Sequence, residues 1–303
     1  MIKVSGVSKK FGSFTALNNM NAEIAEGSIY GLIGSNGAGK STFLRIITGI
    51  YRPEEGSVSI DGETVWDNPA AKKKFIFVPD ELFFLPGANM MRMKKMYKDY
   101  YEDFDEERFN LLTERFGLDP KANISTFSKG MKRQGATILA LSCKPQYLFF
   151  DETFDGLDPI IRRLVKDEII EDAKKRKTTV VITSHSLREL EDVCDQLTLL
   201  HKGGVIFESD VANLKTALFK VQVAFEDEFD RSRFDGLEGV EILNYAQKGR
   251  VANFIVRGNR DETVKRVEAM KPLLVDVLHL SLEEVFVYEM EALGYAFKDV
   301  LMD

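Results

Sequence analysis

Ser28-Ile29-Tyr30-Gly31-Leu32-Ile33-Gly34-Ser35-Asn36-Gly37-Ala38-Gly39-Lys40-Ser41-Thr42-Phe43-Leu44-Arg45-Ile46-Ile47 is the stretch on which the fold turns. Its first six residues read as a buried strand and its last six, from Thr42, as a helix. Between them, Gly34 to Ser41 fits the Walker A pattern, in the strand, loop and helix setting that gives the pattern meaning. Glycines let backbone N–H groups wrap phosphates, and the helix start adds its oriented dipole. Lys40 is then placed to reach β- and γ-phosphates, and the Ser41 hydroxyl to ligate magnesium. A merely tight Gly-rich turn would not explain Lys-Ser directly after the glycines.

Triphosphate hydrolysis also needs a metal carboxylate and a group that places water. Tyr147-Leu148-Phe149-Phe150-Asp151-Glu152, an apolar strand ending in two carboxylates, supplies both. Asp151 falls near the carboxyl edge of a parallel sheet, where it can hold magnesium directly or through water. Glu152 is the candidate for polarising the attacking water. A further buried strand, Thr178 to Ile182, runs into Thr183-Ser184-His185-Ser186, where His185 can sense a γ-phosphate through a ring N–H.

With these elements the sequence resembles the ATP-binding subunits of ABC transporters, and in particular the stand-alone ATPases of bacterial ABC-2-type exporters of drugs, antibiotics or peptides. The resemblance covers about residues 1 to 215. It implies an α/β fold, a P-loop ATPase core with an antiparallel β subdomain and a helical subdomain (about 88–145), plus a small C-terminal α+β domain (216–303). It also implies ATP and Mg2+ as ligands. Gly34, Ser35, Asn36, Gly37, Ala38, Gly39, Lys40, Ser41 and Thr42 take the phosphate-loop positions, and Phe11 the place where the family stacks an aromatic on adenine. Phe127-Ser128-Lys129-Gly130-Met131 resembles the family signature, with Ser128 and Gly130 gripping the γ-phosphate held by the opposite subunit. Asp158, in Gly156-Leu157-Asp158, takes the dimer-contact position, and His185 the switch histidine.

Two departures stand out. Where the family carries Gln after the strand Phe75-Ile76-Phe77-Val78, this chain has Asp80. A carboxylate can still ligate magnesium but cannot donate an amide hydrogen bond. Lys129 replaces the first signature glycine, and either supplements phosphate binding or points outward.

Around the site, period-two strands are expected at Val4 to Val7 and Phe14 to Ile24, a helical region from Asn89 to Phe116, and a solvated turn at Lys72-Lys73-Lys74. Met90, Met91, Met93 and Met96, beside Tyr97, Tyr100 and Tyr101, read either as core packing or as an adaptable surface for a partner helix. Beyond residue 215, strands are expected at Phe219–Phe225, Ala252–Val256 and around 274–277, a helix through Thr263 to Met270, and a Ser281-capped acidic helix start. No catalytic set is recognisable there, which leaves dimer support or regulation.

The 41 basic and 48 acidic residues give a net charge of -7 without a basic tail or stripe, so no nucleic acid is expected. From Lys215 onward 12 basic residues face 17 acidic ones, a shift that marks a domain boundary. Cys143 and Cys194 lack metal-ligand spacing and read as buried thiols in a reducing compartment. With no signal peptide and no apolar run of the ~20 residues a spanning helix needs, a cytoplasmic chain is expected, peripheral on the membrane through a separate permease. The reading is therefore a head-to-tail homodimer that hydrolyses ATP to drive transport, as export, through permease subunits. The alternative is a regulatory or soluble ABC ATPase with weak hydrolysis, which Asp80 and Lys129 leave open.

Overall fold

The computed structural model describes residues 1–237 and 239–292. The last part of the expected 216–303 domain, residues 293–303, lies outside the described residues. Two compact units are present, the first running to Glu208 and the second starting at Ser209.

In the first unit, β1 (Ile2–Phe11) and β2 (Phe14–Ile24) form a hairpin, and β3 (Ile29–Ile33) leads into α1 (Lys40–Ile47). β4 (Glu55–Ile60) turns back on β5 (Glu63–Thr64), and a short α2 (Pro69–Lys72) precedes β6 (Phe75–Val78). Then come α3 (Met90–Tyr100), α4 (Glu106–Arg115) and α5 (Lys129–Ser142). β7 (Tyr147–Asp151), α6 (Pro159–Arg176), β8 (Thr179–Ser184), α7 (Leu187–Leu190), β9 (Gln196–His201) and β10 (Gly204–Asp210) follow.

The central sheet has the order β10-β9-β3-β8-β7-β6, and β9, β3, β8, β7 and β6 run parallel. Every residue of β3, β7 and β8 is buried, which is why these segments are dominated by apolar residues: a parallel sheet is covered on both faces. A second sheet, β2-β1-β4-β5, is antiparallel, and its apolar face shares one core with α1 and the central sheet through Ile2, Val7, Met20, Phe43 and Phe149. Parallel strands deliver their carboxyl ends to one edge, so the segments after β3, β6, β7 and β8 gather there.

The expected helical stretch 89–116 is two helices, broken where Tyr101 leaves the helical conformation. Met90 and Met93 are core, whereas Met91 is exposed. The lysine run forms the expected solvated turn after α2, with Lys72 and Lys73 exposed; Lys72, which ends α2, donates to the Gly49 carbonyl (3.1 Å), and Lys74 pairs with Asp61 (3.4 Å) and Glu63 (3.2 Å). Cys143 and Cys194 are buried free thiols, and burial pushes both up from the ordinary thiol range.

In the second unit, α8 (Val211–Ala217) precedes β11 (Leu218–Ala224), β12 (Glu241–Lys248), β13 (Val251–Arg257), α9 (Arg260–Ala269), β14 (Leu274–Leu278) and α10 (Leu282–Ala292). The sheet order is β12-β13-β11-β14 and all its pairs are antiparallel. With a single 3-10 turn (Arg231–Phe234) between β11 and β12, this is a split βαββαβ arrangement whose first helix has shrunk to a turn. Its core is built on Phe225, Phe234, Phe254 and Val267. Ser281 and Glu284 form a reciprocal capping box at α10: the Ser281 N–H and hydroxyl donate to the Glu284 carboxylate (both 2.9 Å), and the Glu284 N–H donates to Ser281 Oγ (3.3 Å). Among the described residues, no helix is long and apolar enough to cross a membrane.

Candidate functional site

The loop between β3 and α1 is shaped by what its glycines allow. Gly39 sits at φ 110°, and a Cβ there would lie 2.5 Å from the Ala16 carbonyl oxygen; at Gly34 it would lie 2.4 Å from that of Leu200. Only glycine fits both places, so the loop closes tightly on the core and α1 starts at Lys40. The Lys40 side chain, itself buried, folds back over the loop. Its Nζ donates to the carbonyls of Gly34 (2.7 Å) and Ser35 (3.2 Å) and pairs with Glu152 Oε1 (3.1 Å).

Glu152 is the residue after β7 and sits at φ 49°, in the left-handed region that a non-glycine residue rarely occupies. Its N–H is held by both the carbonyl and the hydroxyl of Thr183 (3.2 Å each), and its other carboxylate oxygen meets His185 Nδ1 at 2.9 Å. Lys40, Glu152 and His185 thus form one chain of contacts across the carboxyl ends of three strands. Beside it, Asp151 is fully buried; Thr183 donates to its Oδ1 (2.6 Å), and Oδ2 has no partner. An orphaned buried carboxylate oxygen is costly unless something charged meets it. A buried carboxylate with a spare oxygen, with the Ser41 hydroxyl on the neighbouring cleft, fits a hard divalent cation.

A cleft of about 210 Å³ opens over the loop, bordered among others by Asn36, Lys40, Ser41, Asp80 and Glu152, with Phe14 and Ala16 on one side. Larger concavities beside Tyr100 and Lys73 lie away from these groups and carry no comparable chemistry.

The comparisons match this geometry. A family model described as ABC transporter matches residues 17–155. The lantibiotic transport ATP-binding protein SrtF of Streptococcus pyogenes is 32% identical over 231 residues, 75% of this chain and 99% of SrtF. The chain belongs to the ATP-binding subunits of ABC transporters. The ABC transporter ATP-binding protein YtrB of Bacillus subtilis is 26% identical over 95% of this chain and 97% of its own. A solved ATP-binding subunit of an ABC transporter superposes with TM-score 0.66 at 25% identity, covering 71% of this chain and 92% of that one. Its enzymatic activity is that of an ATPase, and membership implies ATP and Mg2+ as ligands.

In this ABC ATPase the expected site residues divide into two groups. Asn36, Gly37, Gly39, Lys40, Ser41, Thr42, Asp80 and Glu152 border one cleft. Gly34, Ser35 and Ala38 shape the loop beneath it, while Asp151 and His185 reach it through Thr183 and Glu152. Phe11 is not on the cleft wall; its ring packs edge-on against Tyr51 (5.5 Å), and Phe14 is the aromatic that borders the cleft. Ser128, Gly130 and Asp158 are not brought to the cleft of their own chain. Ser128 caps α5 by accepting from the Met131 N–H (3.2 Å), and Asp158 caps α6 by accepting from Ile160 and Ile161 (3.1 Å each). A Cβ on Gly130 would lie 2.8 Å from the Gly156 carbonyl oxygen, so the first turn of α5 comes up against the Gly156 backbone. Lys129 points out of the fold and pairs with Asp155 at 2.6 Å, which holds the Asp155 carboxyl below its usual range.

Sequence reasoning missed Thr183, Arg133 and Asp155. Arg133, on the buried face of α5, donates to the Asp80 carboxylate and, at 3.5 Å, to the Asp151 carbonyl. A carboxylate standing where the family has a neutral amide was the one hint that a cation had to be near.

Proposed function

We propose that two copies of this ATPase close head-to-tail around two ATP molecules and drive export through separate permease subunits, on the cytoplasmic face of the membrane. The observation that carries the reading is the chain Lys40, Glu152, His185 beside the spare oxygen of Asp151, at the mouth of a phosphate-binding loop. Ser128, Gly130 and Asp158, turned away from their own cleft, complete that of the second copy. SrtF, named for lantibiotic transport, supports a transport role for a chain so alike.

Within each cleft the loop N–H groups and Lys40 bind the β- and γ-phosphates, and Phe11 or Phe14 packs on the base. Ser41 and Asp151 would hold magnesium, with the Asp80 carboxylate, already answered by Arg133, at the rim; the cation would supply positive charge against the phosphates. All three Lys40 donors have acceptors in this structure, two carbonyls and Glu152. A γ-phosphate therefore competes with Glu152 for the ammonium, and its arrival frees the carboxylate to orient water. His185 donates to Glu152 through Nδ1 or to phosphate through Nε2, and to both only as the imidazolium. The second unit serves dimer support or regulation.

The test is Glu152→Gln in the full chain. ATP binding is retained, steady-state turnover falls by roughly 10²–10⁴-fold, and an ATP-dependent dimer accumulates in light scattering. Undiminished turnover would remove Glu152 from the chemistry.

A further inference from the structure

One buried side chain, behind the cleft rim, has no part in the chemistry above. Arg133 leads the fully buried side chains in size, with 2% of it exposed. Its Nη2 donates to Asp80 and its Nη1 to the Asp151 carbonyl (3.5 Å), while Nε has no acceptor. A buried guanidinium is tolerated when a carboxylate answers it. Here the answering carboxylate belongs to Asp80, whose side chain is 54% exposed and borders the cleft. The pair joins the end of β6 to α5, the helix that Ser128 caps.

We infer that Arg133 is the positioning residue of the site: it fixes the Asp80 carboxylate at the cleft rim and compensates its charge, so that a triphosphate can enter where a bare carboxylate would repel it. The inference rests on the reading of the cleft as an ATP and magnesium site. Charge sets its consequences. With Arg133 in place, Asp80 presents little net charge to the phosphates and competes weakly for the cation. Without it, an uncompensated carboxylate faces the triphosphate, metal-free ATP binds less well, and binding leans more heavily on Mg2+. Because Arg133 is rooted in α5, this compensation holds only while α5 stays against the end of β6.

The experiment measures radiolabelled ATP binding to the full chain by equilibrium dialysis, once with Mg2+ and once with EDTA, and compares the two affinities as a ratio. Arg133→Met keeps the length and removes the charge; the Mg2+/EDTA ratio rises by about tenfold. The double variant Asp80→Asn/Arg133→Met returns it to the parental value, which a purely structural role for the pair would not produce. In Asp80→Asn alone, at a site exposed enough to spare the fold, the ratio drops below the parental one, and this variant decides the matter if Arg133→Met does not fold. ATP binding with a ratio indifferent to the substitutions overturns the inference alone. A parental chain that binds ATP in neither buffer overturns the cleft reading and the inference with it.

Discussion

Thr183 shows how much of the site one hydroxyl holds. It donates to Asp151 Oδ1 at 2.6 Å and accepts from the Glu152 N–H at 3.2 Å, so it orients the buried Asp151 carboxylate and steadies the left-handed turn at Glu152. Replacing it with Val removes a hydrogen bond to a buried charged group, and Thr183→Val is expected to lower unfolding free energy by about 1.5–3 kcal/mol in urea titrations. The same variant should raise the Mg2+ concentration needed for half-maximal ATP binding, because Asp151 is then free to turn; an unchanged requirement would separate Thr183 from the metal site. Lys40, Ser41, Asp151 and Glu152 were legible from sequence because local spacing determines them. The pairs Arg133 with Asp80 and Lys129 with Asp155 were not, since their partners lie 53 and 26 residues apart and meet only when α5 docks on the sheet.

Among the elements, α4 is tied at both sides. Asp105 caps it by accepting from the Arg108 N–H (2.9 Å) and pairs with Lys144, just past α5, at 2.6 Å. Arg108 reaches across to α6, meeting Asp172 at 2.5 Å and Glu168 at 3.4 Å, where burial pushes both carboxyls above their usual range against the pull of the arginines. The cap bond, followed by Lys144, holds the Asp105 carboxyl below its ordinary 3.8. A depressed folded value means that its stabilisation is present above that ordinary value and lost as pH falls through the lower one. Asp105→Ala should therefore cost about 1 kcal/mol at neutral pH, and the difference from the parental protein should shrink below about pH 4 in denaturant titrations. A deficit that persists at low pH would assign the cost to packing. At this scale the apolar strands β3, β7 and β8 were legible because burial on both faces leaves few polar positions. β12 was not, because most of its residues are exposed or half-buried and its alternation is polar.

At the scale of the whole molecule, the two units have separate hydrophobic cores, one around Phe43 and Phe149 and the other around Phe234 and Phe254. A chain ended after Asp210 keeps every residue of the cleft, and it should fold and bind ATP as the full chain does. Lost nucleotide binding in a folded truncation would give the second unit a direct part in the site. The acidic shift in composition begins at Lys215 while the second unit starts at Ser209, and the βαββαβ order stayed hidden because the first helix survives only as a turn. The meeting of Gly130 with Gly156 carries a last implication. Gly130, in the first turn of α5, comes up against the Gly156 carbonyl, and the Lys129–Asp155 pair fastens the same two segments, so a shift at the start of α5 carries the Asp155–Asp158 turn with it. In the proposed head-to-tail dimer these two faces behave as a single stamp: a substitution at Gly130 would disturb the turn at Asp158 as well, and a second copy would meet both or neither in register.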